Sequence, residues 1–212
     1  MSEILNVISE SLQEGDVDTV TEKVEEALNG GVSASTILHE GLLHGMDVMG
    51  QRWKNEEVYM PEVMIAARAM NAGMRVLKPH LLAAGVKPIG KVVLGTVKGD
   101  LHDIGKNLVN MMFVGSGFEV VDLGVDVNEK TFVQAITEHQ PQIIAMAALL
   151  TTTMSEMRVV IEAVTTTGLR DQVKIMVGGA PLTQSFANAI GADAYAPDAA
   201  VAADIAKQMI GA

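Results

Sequence analysis

The chain has 212 residues, 49% of them hydrophobic, no cysteine and a formal net charge of −11. That length accommodates one or two domains and a packed core, while the lack of cysteine excludes disulfides, thiolate nucleophiles and cysteine-ligated zinc or iron–sulfur sites within the chain. The acidic balance repels phosphate backbones, and one Trp, two Tyr and four Phe offer little for base stacking, so nucleic acid is not expected as a partner.

The start, Met1-Ser2-Glu3, carries no basic region ahead of an apolar core. The longest apolar stretch, Ile143 to Leu150, is far short of the ~20 residues that span a bilayer. A cytoplasmic protein with no membrane partner is therefore expected. From Ser2 to about Ala84 the apolar residues recur at helical spacing. Ile4, Ile8 and Leu12 form one stripe, and Val17, Val20, Val24 and Leu28 another, ended by Asn29-Gly30-Gly31. Ser33 is placed to cap a third helix running through Ile37, Leu38, Leu42, Met46 and Met49 to Trp53. A fourth starts after Asn55-Glu56-Glu57 and carries Met60, Val63, Met64, Ala67, Met70, Met74 and Leu77. Four helices with short connections predict an antiparallel bundle over residues 1–88.

After Gly85-Val86-Lys87-Pro88-Ile89-Gly90 the pattern changes to short apolar runs alternating with helix-length segments. Strands are expected near 91–97, 119–123, 142–149, 172–177 and 192–196, and helices over 104–115, 128–138, 155–167, 183–190 and 198–210. Five strand–helix units in residues 89–212 predict an α/β domain, an open five-stranded parallel sheet of flavodoxin-like, Rossmann-like order. Ligands of such sheets lie at the carboxyl edge, where the strand order reverses.

Three loops meet that description. The first strand leads into Gly99-Asp100-Leu101-His102-Asp103-Ile104-Gly105-Lys106-Asn107. Asp100, two residues before His102, is placed to accept the ring's Nδ1 proton and leave Nε2 free as a metal ligand, while Gly105 permits close approach to the backbone. Asp103 serves equally well as a simple helix cap. The third strand ends in Ala147-Ala148-Leu149-Leu150-Thr151-Thr152-Thr153 and the fourth in Val177-Gly178-Gly179-Ala180-Pro181. Taken singly, Gly-Gly is a common turn and three threonines can cap a helix.

Together these segments resemble the vitamin B12-binding module of cobalamin-dependent methionine synthase and methylmalonyl-CoA mutase, and the whole chain resembles the small methyltransferase corrinoid proteins. The resemblance implies a cobalamin or related corrinoid lying across the sheet edge, base-off, with His102 as lower ligand to cobalt and Asp100 behind it. Leu101, Asp103, Ile104, Gly105, Ala147 and Leu149 would line the cofactor, with Thr151, Thr152, Thr153, Gly178, Gly179 and Ala180 along its nucleotide tail. Tyr59, Met60 and Met64, in a segment resembling the family's cap, would face the methyl group. The family's Ser-x-Leu segment corresponds to Ala147-Ala148-Leu149, so the hydroxyl of a His–Asp–Ser relay is missing. Asp100 then ends the relay unless water or one of Thr151 to Thr153 replaces it. His39, His44, His80 and His139 have no such context.

The resemblance further implies a methyl carrier that takes a methyl group from a small donor onto Co(I) and hands methyl-Co(III) onward, as one component of a multi-protein system. Its partners would be a substrate-specific methyltransferase, a methyltransferase delivering to coenzyme M or tetrahydrofolate, and a reductive activase. A cobalamin-binding sensor and an adenosylcobalamin mutase subunit are the rival readings. The first usually carries a DNA-binding domain and a Glu-His pair after the cap Trp, whereas Trp53 is followed by Glu62-Val63; the second has little use for a methyl-shielding cap.

Overall fold

The computed structural model describes residues 2–211. The chain divides into two compact units, one running to Pro88 and including Gly115–Gly117, the other beginning at Ile89.

The first unit is helical: α1 (Glu3–Glu14), α2 (Val17–Asn29), α3 (Ala34–Thr36), a π-helical stretch (Ile37–Leu43), α4 (His44–Lys54) and α5 (Met60–Ala83). Caps set the starts. Asp16 accepts the Thr19 amide and Ser33 the Thr36 amide, each at 3.0 Å, and Glu62 reaches back to the Tyr59 amide at 3.2 Å. The face of α1 turned inward is Leu5, Ile8 and Leu12, with the expected Ile4 only partly covered. The third helix, expected as one regular run from Ser33 to Trp53, contains the wider π turn, which brings Leu43 inward beside Leu42. Met46, Met49, Met70 and Leu77 complete a tightly packed interior.

The second unit alternates β1 (Lys91–Thr96), α6 (Ile104–Gly115), β2 (Glu119–Asp122), α7 (Glu129–His139), β3 (Ile143–Ala147), α8 (Met154–Thr166), a 3₁₀ turn (Arg170–Gln172), β4 (Lys174–Gly178), α9 (Gln184–Ile190), β5 (Ala194–Ala196) and α10 (Ala199–Ile210). The sheet is wholly parallel, in the order β2-β1-β3-β4-β5. Its central strands read as unbroken apolar runs because helices cover both faces, while β2 and β5 at the edges are short and less buried. One face packs Phe132, Ile144, Met146, Met157 and Val177 into a common core. The third strand is shorter than its apolar run, since the chain turns out of the ladder after Ala147. Gln172, expected to begin the fourth strand, closes the 3₁₀ turn instead.

The order reverses between β1 and β3, so the connections leaving these neighbours depart in opposite directions and open a crevice at their carboxyl ends. The Asp100–His102 loop follows β1, and the Leu149–Thr153 loop follows β3.

Candidate functional site

Asp100 is completely buried and joins these two loops. Its Oδ1 accepts the His102 ring Nδ1–H at 2.7 Å and the His102 amide at 3.1 Å. Its Oδ2 accepts the Leu149 amide at 2.8 Å, the Leu150 amide at 3.2 Å and the Thr153 hydroxyl at 2.7 Å. Burial alone pushes the carboxyl up, but the bonds from Thr153, Leu149 and His102 outweigh it and hold the group well below the usual carboxylate range. An ionised carboxylate only accepts, so the proton between Asp100 and His102 belongs to Nδ1. The Nε2 lone pair is thereby left outward, on a side chain that is 50% exposed.

Thr96, at the end of β1 and fully buried, fixes the loop from below by donating its hydroxyl to the His102 carbonyl at 2.9 Å. The first turn of α6 is anchored by Lys106, whose buried ammonium bonds Asp122 at 2.5 Å and the Asn107 side chain at 2.8 Å. The Asp103 carboxylate takes the Asn107 side-chain amide at 3.1 Å. Neither Thr96 nor Lys106 stood out in the sequence, because their roles depend on which strand lies alongside.

Around the imidazole the surface is apolar. Leu101 and Ile104 are 70% and 66% exposed, and Leu149 and Leu150 are also exposed. A Cβ built at Gly105 meets no atom within 4 Å, so this side of the first helical turn is open. Thr151 and Thr152 are exposed, whereas Thr153 is buried against Asp100. The hydroxyl that Ala147 lacks is thus present at the carboxylate, delivered from the start of α8 and not from the end of β3. Gly178 pairs with Ala147 and Ala196 in the sheet, and Ala180 is exposed just beyond. Gly179 answers first to the fold: at φ +138° its missing Cβ would stand 1.9 Å from the Ala148 carbonyl oxygen. In the helical unit Tyr59, Met60 and Met64 are 69%, 40% and 44% exposed.

Among the described residues no group of three or more His, Cys, Asp or Glu is arranged to hold a metal ion. One half-exposed imidazole beside exposed leucine and isoleucine side chains suits a metal that brings its other ligands with it, and this donor set fits the cobalt of a corrin. No helix of the described residues is long and apolar enough to cross a membrane.

Comparison with known proteins gives the family. Two family models, each described as a B12 binding domain, match residues 90–204 and 4–78. A corrinoid protein of Desulfitobacterium hafniense (strain Y51) is 38% identical over 98% of both chains. Trimethylamine corrinoid protein 1 of Methanosarcina acetivorans is 43% identical, covering 93% of this chain and 92% of its own. The methanol:cobalamin methyltransferase complex MtaBC from Methanosarcina barkeri contains a chain that superposes with a TM-score of 0.91 at 30% identity, over 99% of this chain and 80% of that one. Similarity of this extent reaches through the helical unit as well as the sheet, and with it the chain belongs to the B12-binding corrinoid proteins.

Proposed function

We propose that this chain is the methyl-carrying corrinoid component of a methylamine- or methanol-type methyltransferase system. The observation that carries the reading is the Asp100–His102 pair, with Nε2 left free at the switch point of a B12-binding sheet. The cobalt of the bound corrin supplies the centre that accepts and releases the methyl group. The protein's work is to hold, orient and shelter it.

His102 would hold the cobalt through Nε2, in place of the cofactor's own dimethylbenzimidazole. Asp100 fixes the ring's tautomer and stabilises the imidazolium when Nε2 is released and takes up a proton. Thr153 and the Leu149 and Leu150 amides hold the carboxylate ionised and immobile. Leu101, Ile104 and Leu149 offer an apolar floor beside Gly105, with Thr151, Thr152, Gly178, Gly179 and Ala180 toward the tail. Tyr59, Met60 and Met64 are the side chains offered for shielding the methyl group. Similarity to a trimethylamine corrinoid protein and to the MtaBC chain supports a methyltransferase partner. In this reading one methyltransferase would load the carrier, a second would deliver to coenzyme M or tetrahydrofolate, and a reductive activase would be a further partner, all in the cytoplasm.

Isolation of the protein with its native cofactor tests the reading. A methyl or hydroxo upper ligand and a copurifying methyltransferase are expected. An adenosyl ligand and no methyltransferase would favour a mutase subunit or a sensor.

A further inference from the structure

Asp126 lies in the connection between β2 and α7 and is one of three non-glycine residues with positive φ among the described residues, at +56°. An L-residue in this left-handed region is strained and must be held there by its surroundings, though Asp tolerates it better than most. The side chain does not serve its own turn, as an Asp in a loop commonly does. Its Oδ1 accepts the Gly99 amide at 2.7 Å, across 27 residues of sequence. Its own backbone N–H donates to the Asp100 carbonyl at 3.0 Å. The two bonds grip one short piece of chain at both ends, just before His102.

The rest of that piece is fixed from other directions. The Asp100 amide donates to the Val97 carbonyl at 3.1 Å, closing a turn in which Gly99 has φ +78°. Val127, next to Asp126, donates to the Thr96 carbonyl at 3.0 Å and bridges to Val97, so Asp126 is itself tied to the end of β1. The Asp100 side chain is anchored separately, by the Leu149 and Leu150 amides and the Thr153 hydroxyl. We propose that Asp126 is a positioning residue, fixing the backbone of the Asp100–His102 pair and through it the direction of the imidazole. This rests on the reading of His102 as the axial ligand.

The test uses the full-length chain without cofactor, labelled with nitrogen-15 in histidine, and reads the His102 ring tautomer above the ring's ordinary titration range. Asp126→Gly removes the carboxylate and suits the positive φ, so folding is not at stake; Asp126→Asn keeps an acceptor for the Gly99 amide. The wild type and Asp126→Asn are expected to show one tautomer, with the proton on Nδ1, and Asp126→Gly a mixture. Affinity of Asp126→Gly for aquocobalamin is expected to fall about fivefold or more, the loss of one positioning hydrogen bond. A wild-type tautomer in Asp126→Gly overturns the proposal, and so does a mixture in Asp126→Asn. A wild-type cob(II)alamin spectrum without histidine nitrogen splitting would remove the ligand reading alone, since the tautomer is measured without cofactor and still decides what Asp126 positions.

Discussion

Thr153 Oγ1 lies 2.7 Å from Asp100 Oδ2, on the carboxylate oxygen opposite the one that holds the His102 ring. A hydroxyl, a carboxylate and an imidazole are therefore joined by hydrogen bonds in this chain despite Ala147. Thr153→Ala should destabilise the apo-protein by about 1–2 kcal/mol, the worth of a hydrogen bond to a charged group, with Thr153→Ser near wild type. Ala147→Ser should change stability by at most ~1 kcal/mol, because Oδ2 already accepts three donors. Urea denaturation of the three variants checks the order.

Asp100→Asn replaces an acceptor-only group with one that must turn an NH₂ toward donors, either the amides of Leu149 and Leu150 or the His102 ring. Cofactor binding should persist, with a shifted Co(II)/Co(I) potential that depends less on pH, measured by potentiometric titration. The apo-protein gives a second readout. A carboxyl held below its ordinary value near 3.8 contributes stability that is present above that value and is lost as pH falls toward the folded one. The stability gap between wild type and Asp100→Asn should therefore narrow below about pH 4. A gap constant from about pH 6 to about pH 3 would contradict an ionised Asp100.

With His102 as lower ligand, the cob(II)alamin form should show electron paramagnetic splitting from one axial nitrogen. Nitrogen-15 labelling of the protein's histidines should change a triplet into a doublet, and His102→Gly should abolish the protein-derived splitting. A spectrum indifferent to the label would assign the lower ligand to something other than the imidazole.

A fragment beginning at Ile89 contains every strand of the sheet and the whole Asp100 network, and should fold and bind cobalamin alone. If Tyr59, Met60 and Met64 shield the methyl group, the fragment should lose it to light, or its Co(I) form to oxygen, faster than the full chain. Met64→Ala in the full chain should cost less than about 1 kcal/mol of stability, since that side chain is 44% exposed. Equal photolysis rates would leave the three side chains without that role.

Much of this was legible in the sequence because the signals were local. Helical periodicity, the Asn-Gly-Gly stop and the Ser33 cap fall where the elements begin and end. The Asp100–His102 contact was legible too, since two residues of spacing bring the side chains together. What failed was non-local or too local. Ile4 and Leu5 both fit one turn of a periodic pattern, and only the neighbouring helices decide that Leu5 is the buried one. The apolar run through Leu149 does not mark where the ladder of β3 with β4 ends, at Ala147 and Gly178. Thr153 could be one of three threonines until the turn after Leu150 showed which one points at the carboxylate.

Asp100 finds its partners Leu149, Leu150 and Thr153 at 49, 50 and 53 residues further along the chain. During synthesis the histidine loop therefore emerges well before anything that can immobilise it, and β3 must first insert beside β1 in the middle of a parallel sheet, a slow non-local step. Until then the imidazole is an ordinary mobile side chain with no fixed tautomer. If His102 is the metal ligand, its fixed geometry is gained only once β3 lies beside β1, so a nascent or misassembled chain would have little means of capturing a cofactor.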